Sequence, residues 1–185
     1  ADFASRAVPA LLLQTAEFKA GDYKGALRSA LEATHTQFIK DAPSSEVSGT
    51  TSTVAIISGT GVAVACVGNS RAVLCVGGKA HALTNDVRFE MTPRGLFGQE
   101  QPGASLAEQP LTKADGESFL ILATDGVWDV LSSQKACDIV KAALAASPTA
   151  PQQAAKALCD AAYSAESEDN IGATVVICHS PHFTL

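Results

Sequence analysis

Phe119-Leu-Ile-Leu-Ala-Thr-Asp-Gly-Val-Trp-Asp-Val-Leu-Ser132 carries three structural signals in one short run. Phe119–Thr124 is a brief apolar stretch of the kind that forms a buried strand. Asp125-Gly126 is turn chemistry. From Ser133 onward, Ala136, Ile139, Val140, Ala143 and Leu144 recur on one helical face, and Ser132 or Ser133 is placed to cap that helix. A strand that ends in a carboxylate and turns into a helix leaves that carboxylate at a sheet edge.

Downstream, Ser147-Pro-Thr-Ala-Pro151 breaks the helix, and Pro151 suits the first turn of another, whose apolar stripe is Ala154, Leu158 and Ala161. Ala173–Cys178 then reads as a closing strand, preceded by Asp169-Asn170. Antiparallel pairing of this strand with Phe119–Thr124 would bring Asp125 and Asp169 to one edge. Upstream, Thr51–Ser58, Val62–Val67 and Arg71–Val76 are apolar runs separated by Gly59-Thr60-Gly61 and Gly68-Asn69-Ser70, the pattern of an antiparallel meander. Ala80–Leu83 is a candidate fourth strand. Residues 85–115 show no clear period. At the start, residues 2–18 read as a helix kinked or divided at Pro9, and residues 22–40 as a second helix with Leu27, Ala30, Leu31, Thr34 and Phe38 on its apolar face. Strands and helices do not alternate regularly, so the expected class is α+β, helices packed on mainly antiparallel sheet in one domain over residues 1–185.

A chain of 185 residues, 46% hydrophobic and 17% charged, suffices for one packed core. The net charge of −6, with its 13 Lys and Arg scattered, gives no basic field for nucleic acid. There is no apolar run long enough for a membrane-spanning helix, and the first residues do not read as a signal peptide. Cys66, Cys75, Cys137, Cys159 and Cys178 lie widely spaced in apolar segments without a CxxC pair, which points to buried free thiols and a cytoplasmic or nuclear setting. The four histidines do not stand at zinc-ligand spacing from them.

Two ionised carboxylates at one edge repel each other unless a hard cation sits between them, and oxygen donors favour Mg²⁺ or Mn²⁺ over zinc. Such ions acidify water for attack on phosphorus and offset charge on phosphoryl oxygens, so no protein nucleophile is needed. Asp129 lies four residues after Asp125 and would face the same way if the intervening turn is helical, which makes it a candidate for a peripheral ion. Taken singly, each acid also has a plain reading: Asp before Gly forms turns, Asp-Asn before a strand forms loops, and an acid leading a helix satisfies its dipole. Trp128 reads as a core or cap residue.

Ser48-Gly-Thr-Thr51, Val67-Gly-Asn-Ser-Arg-Ala-Val-Leu74, the run Phe119–Ser132, and Ser167-Glu-Asp-Asn170 occur here in the order found in the PPM (PP2C) family of metal-dependent serine/threonine protein phosphatases, which this chain resembles. The resemblance implies a four-layer αββα fold, a central antiparallel β-sandwich flanked by helices, with two Mg²⁺ or Mn²⁺ ions at one sandwich edge. It implies Asp125 and Asp169 as metal ligands, Asp129 as a ligand of an additional, weaker ion, and a phosphorylated protein as substrate, hydrolysed by metal-activated water.

The match also has departures. In the family an Asp-Gly-His-Gly-Gly segment supplies a metal-bridging aspartate and precedes a helix resembling Ala1-Asp-Phe-Ala-Ser-Arg-Ala; a phosphate-binding arginine and the first strands of the sandwich are expected further upstream still. Asn69 stands where the family's Gly-Asp-Ser turn has an aspartate, which removes one negative charge from the position of the family's third metal. Thr84-Asn-Asp86 is followed by Val87-Arg-Phe instead of the family's His-x-Pro, the region before Thr92-Pro-Arg-Gly-Leu-Phe-Gly98 is short, and Gln99 replaces an aspartate, with Arg94 the positional counterpart of the family's arginine there. Read literally, these departures support a competing expectation: a catalytically inactive relative that uses the fold as a binding or regulatory surface.

Overall fold

The computed structural model describes residues 1–43, 48–85, 104–111 and 117–179. Helices α1 (Asp2–Leu12), α2 (Ala16–Ala20) and α3 (Tyr23–Asp41) lead into strands β1 (Ser52–Ser58), β2 (Gly61–Val67), β3 (Arg71–Val76), β4 (Lys79–Ala82), β5 (Ser105–Pro110) and β6 (Ser118–Ala123). Helices α4 (Asp125–Trp128), α5 (Ser133–Ala146) and α6 (Pro151–Ser164) and strand β7 (Ala173–His179) complete the order. The strands form two antiparallel sheets, ordered β1-β2-β5 and β4-β3-β6-β7.

The two-residue period of a strand explains why its middle strands are apolar throughout. On β2, Val62 and Val64 point between the sheets, where they meet Ala72 and Leu74 of β3 and Leu120 of β6. Their neighbours Ala63 and Ala65 face outward onto Leu12, Ala26, Leu27 and Ala30 of α1 and α3. On the second sheet the outward set is Val73, Cys75, Phe119, Ile121 and Ala123, covered by Ala136, Val140 and Leu144 of α5 and Ala154, Leu158 and Ala162 of α6. Every sheet face near the middle is thus buried, one against the other sheet and one against helices. The result is the expected four-layer αββα sandwich, and burying each such Val, Leu, Ile or Phe contributes about 1.5–3 kcal/mol.

Several local expectations hold. Ser132 caps α5 by accepting a hydrogen bond from the Lys135 amide, Pro151 opens α6, and the fourth strand exists as β4, paired with β3. Strands β6 and β7 pair antiparallel, with Ala123 opposite Ala173.

Others are corrected. The meander does not continue through Gly68-Asn69-Ser70: β2 belongs to one sheet and β3 to the other, so this segment carries the chain across the sandwich. Gly68 sits at φ +108°, and a Cβ there would lie 2.4 Å from Thr51 Cγ2, so a glycine is required at the crossing. The region read as aperiodic contains β5, whose Ser105–Pro110 pairs with β2. The first helix ends at Leu12, not at Pro9; Thr15 restarts the chain as α2 by accepting from the Phe18 amide. The expectation of five free thiols fails at one pair, since Cys75 and Cys137 form a disulfide joining β3 to α5. The spacing gave no hint because 62 residues separate them and only the folded layers bring them together. Cys66, Cys159 and Cys178 take no part in a disulfide. With a disulfide present, thiol usage no longer supports a reducing compartment. Among the described residues, no helix is long and apolar enough to cross a membrane.

Candidate metal centre

Strand β6 delivers Asp125 to the edge of its sheet, and the segment entering β7 delivers Asp169 to the same edge. The two segments interlock through several contacts. Thr124 Oγ1 donates to the Asn170 carbonyl at 2.9 Å and accepts from the Gly172 amide at 3.0 Å, while the Thr124 amide donates to the Gly172 carbonyl. Ser167 Oγ donates to the Gly126 carbonyl at 2.6 Å. Gly126 itself is buried against this loop: a Cβ there would stand 2.5 Å from the Asn170 carbonyl oxygen. The Asp-Gly sequence therefore serves close approach as well as turning, because any side chain at residue 126 would push the two acidic segments apart.

Asp125 is half-buried, and its carboxylate is held from two sides. Oδ1 accepts from the Gly126 amide at 3.0 Å, and Oδ2 accepts from Asn69 Nδ2 at 2.5 Å. Asp169 is exposed, with Oδ1 accepting from the Asn170 amide at 2.6 Å. The turn after Asp125 does wind helically, since the Asp129 amide donates to the Asp125 carbonyl at 2.8 Å. Asp129 is the exposed C-cap of this turn. Trp128 is buried, as expected of a core residue, and its indole N–H donates to the Ala123 carbonyl at 2.8 Å.

On β3, the neighbour of β6 in the same sheet, Arg71 braces the same turn. Its guanidinium lies 5.1 Å from the Trp128 ring centroid and donates to Ser133 Oγ at 3.0 Å. The resemblance singles out Asn69 by its place in the family's metal-binding turn, but neither its hydrogen bond to Asp125 nor the contacts of Arg71 are legible in the sequence. Their place immediately after Gly68 gains a structural meaning once the segment is known to cross between sheets. Arg94 and Gln99, singled out in the sequence, lie outside the described residues, as do Asp86 and the residues after it through 103.

The donor chemistry fits a hard divalent cation. Asp125 and Asp169 are oxygen donors on interlocked segments, and Mg²⁺ in particular is held by one or two carboxylates together with waters and substrate phosphate. Among the described residues, no group of three or more Asp, Glu, His or Cys side chains is gathered into a complete ligand cage, so these two carboxylates would form only part of a coordination shell.

A four-layer αββα sandwich with carboxylates on the loops at one sheet edge defines the structural class. The sequence model of the family described as Protein phosphatase 2C matches residues 1–90 and 101–171, and the chain belongs to that family. Among curated relatives, "Probable protein phosphatase 2C 45" of Oryza sativa subsp. japonica is 32% identical over 188 residues, covering 84% of this chain and 64% of the rice protein. The chain thus spans less than two thirds of that relative's length. The crystal structure of serine-threonine phosphatase 2C from Toxoplasma gondii superposes with a TM-score of 0.73 at 19% identity, covering 96% of this chain and 81% of that one. The catalytic domain of serine threonine protein phosphatase PstP, solved with two manganese ions, superposes with a TM-score of 0.61 at 23% identity, covering 95% of this chain and 81% of that one. Both likenesses bear on the fold.

Proposed function

We propose that the protein hydrolyses phosphoserine and phosphothreonine in protein substrates, with Mg²⁺ or Mn²⁺ held in part by Asp125 and Asp169. The observation that carries this reading is the interlocking of the β6 and β7 edge loops, which sets two hard carboxylates on the same sheet edge in a chain of this family. The names of the relatives, and the manganese ions in the PstP structure, support the hydrolytic reading over the non-catalytic one. Divalent cations bound there supply positive charge that acidifies water and offsets the phosphoryl oxygens.

The residues themselves have distinct tasks. Asp125 and Asp169 present oxygen donors; Thr124, Gly126 and Ser167 fix the separation of the two loops; Asp129, one turn on, offers a more exposed carboxylate for a further, weaker ion. Breaking the loop contacts would misplace both acids together, which links fold integrity directly to metal affinity.

The test is phosphate release from a phosphothreonine peptide with Mn²⁺, with Mg²⁺, and with chelator, by the protein and by an Asp125→Asn, Asp169→Asn double variant. Metal-dependent turnover that falls at least a hundredfold in the double variant is expected. A folded wild-type protein with no metal-dependent turnover would return the reading to a non-catalytic relative.

A further inference from the structure

The 2.5 Å contact between Asn69 Nδ2 and Asp125 Oδ2 joins the sheet-crossing segment to the acidic turn. Only the amide nitrogen of asparagine can donate to a carboxylate, so the side-chain orientation follows from chemistry. We propose that Asn69 is a positioning residue that holds the Asp125 carboxylate for a divalent cation. The inference rests on the reading of Asp125 as a metal ligand.

Three observations make Asn69 a firm support. On one side, Gly68 packs against Thr51 in a backbone conformation only glycine adopts readily. On the other, Ser70 is buried and its carbonyl accepts from Cys66 Sγ at 2.9 Å. One residue further, Arg71 is tied to Ser133 and to the face of Trp128. Asn69 is therefore presented from a backbone fixed at both ends, which lowers the entropy lost in holding the hydrogen bond.

The arrangement leaves the carboxylate able to bind. Two carboxylate oxygens offer about four lone-pair directions, and the Gly126 amide and Asn69 each take one, one per oxygen. Among the described residues each oxygen keeps a direction open, and the two hydrogen bonds hold the carboxylate against rotation about its Cβ–Cγ bond. Because Asn69 is neutral, it orients Asp125 without cancelling the negative charge that attracts a cation. A lysine in its place would compete with the metal.

Calorimetric titration of Mn²⁺ into the metal-free protein, alongside thermal unfolding in chelator, tests this. Asn69→Ala is expected to weaken Mn²⁺ binding about tenfold and to shift the metal-free Tm by no more than about 3 °C. Equal Mn²⁺ affinity in Asn69→Ala and wild type would overturn the proposal, and so would a large loss of Tm with affinity unchanged, which marks a purely structural contact. Asn69→Asp keeps the shape but removes the donor and sets two carboxylates together. It is expected to lower the metal-free Tm and to show a larger upward shift on adding Mn²⁺ than wild type. A metal-free Tm equal to wild type would mean that the contact is absent and would also overturn the proposal. A wild-type protein that binds no Mn²⁺ overturns this proposal and the ligand reading together, whereas Mn²⁺ binding lost in Asp125→Asn but untouched in Asn69→Ala removes only the role of Asn69.

Discussion

A methyl group at position 126 would meet main chain, not a movable side chain: the Asn170 carbonyl oxygen would be 2.5 Å from it and the Asn170 carbonyl carbon 2.9 Å. The loops must part for Gly126→Ala to be accommodated, at a cost of about 1–3 kcal/mol. Urea denaturation of the metal-free protein is expected to show the midpoint falling accordingly; an unchanged midpoint would mean that the loops are not locked at this point. At this scale the sequence was partly legible. Asp125 and Asp169 could be placed on one edge because each adjoins an apolar run whose pairing followed from its pattern. The residues that fix those acids were not legible. Thr124, Ser167 and Asn69 act through hydrogen bonds spanning 48, 41 and 56 positions, and no local pattern encodes such contacts.

Elements with a strong local signal were readable to within a residue or two. Helix α5 begins where Ser132 offers an oxygen to the Lys135 amide at 3.2 Å, and Ser132→Ala should cost about 1 kcal/mol, again measured by urea midpoint. Strand β5 was missed because Ser105-Leu-Ala-Glu-Gln-Pro110 is half-exposed at the sheet edge, and neither its composition nor its alternation marks a strand. Its pairing with β2 is what defines it. The hairpin reading of Gly68-Asn69-Ser70 failed for a related reason: a glycine-centred turn between apolar runs looks alike whether the next strand pairs with the last or enters the facing sheet. On β7, burial pushes the Cys178 thiol up to about 11, opposed in part by a backbone hydrogen bond at Leu120. The unfolded thiol ionises near 9.0, so its contribution to stability is complete below that pH and is lost as the pH rises from 9 through 11. Between pH 8 and pH 10.5 the wild type should therefore lose more stability than Cys178→Val; parallel losses would count against the half-buried Cys178 thiol as the source.

For the molecule as a whole, both sheets share one inner layer, and each is sealed outside by its own helices. The α+β class, helices packed on mainly antiparallel sheet, was legible from the pattern of apolar runs and stripes, whereas the four-layer plan came from the resemblance to the PPM family and not from that pattern. The Cys75–Cys137 bond adds a constraint that pattern could not supply. Closing a loop of 62 residues is worth on the order of 4 kcal/mol through the unfolded state. The Cys75→Ala, Cys137→Ala double variant is expected to be less stable by roughly that amount in denaturant, and added thiol reductant should destabilise the wild type but leave the variant unmoved. Equal stability of the two proteins would show that the bond contributes nothing.

That same bond turns the chain between β3 and α5 into a covalent ring. A protease that makes a single cut anywhere between residues 76 and 136 opens the ring but frees no fragment, because the amino-terminal piece keeps Cys75 and the carboxy-terminal piece keeps Cys137. Such nicked protein would run as two bands on a gel only after reduction, and in solution its halves would stay tethered, ready to re-form the sandwich after denaturation at a rate independent of protein concentration.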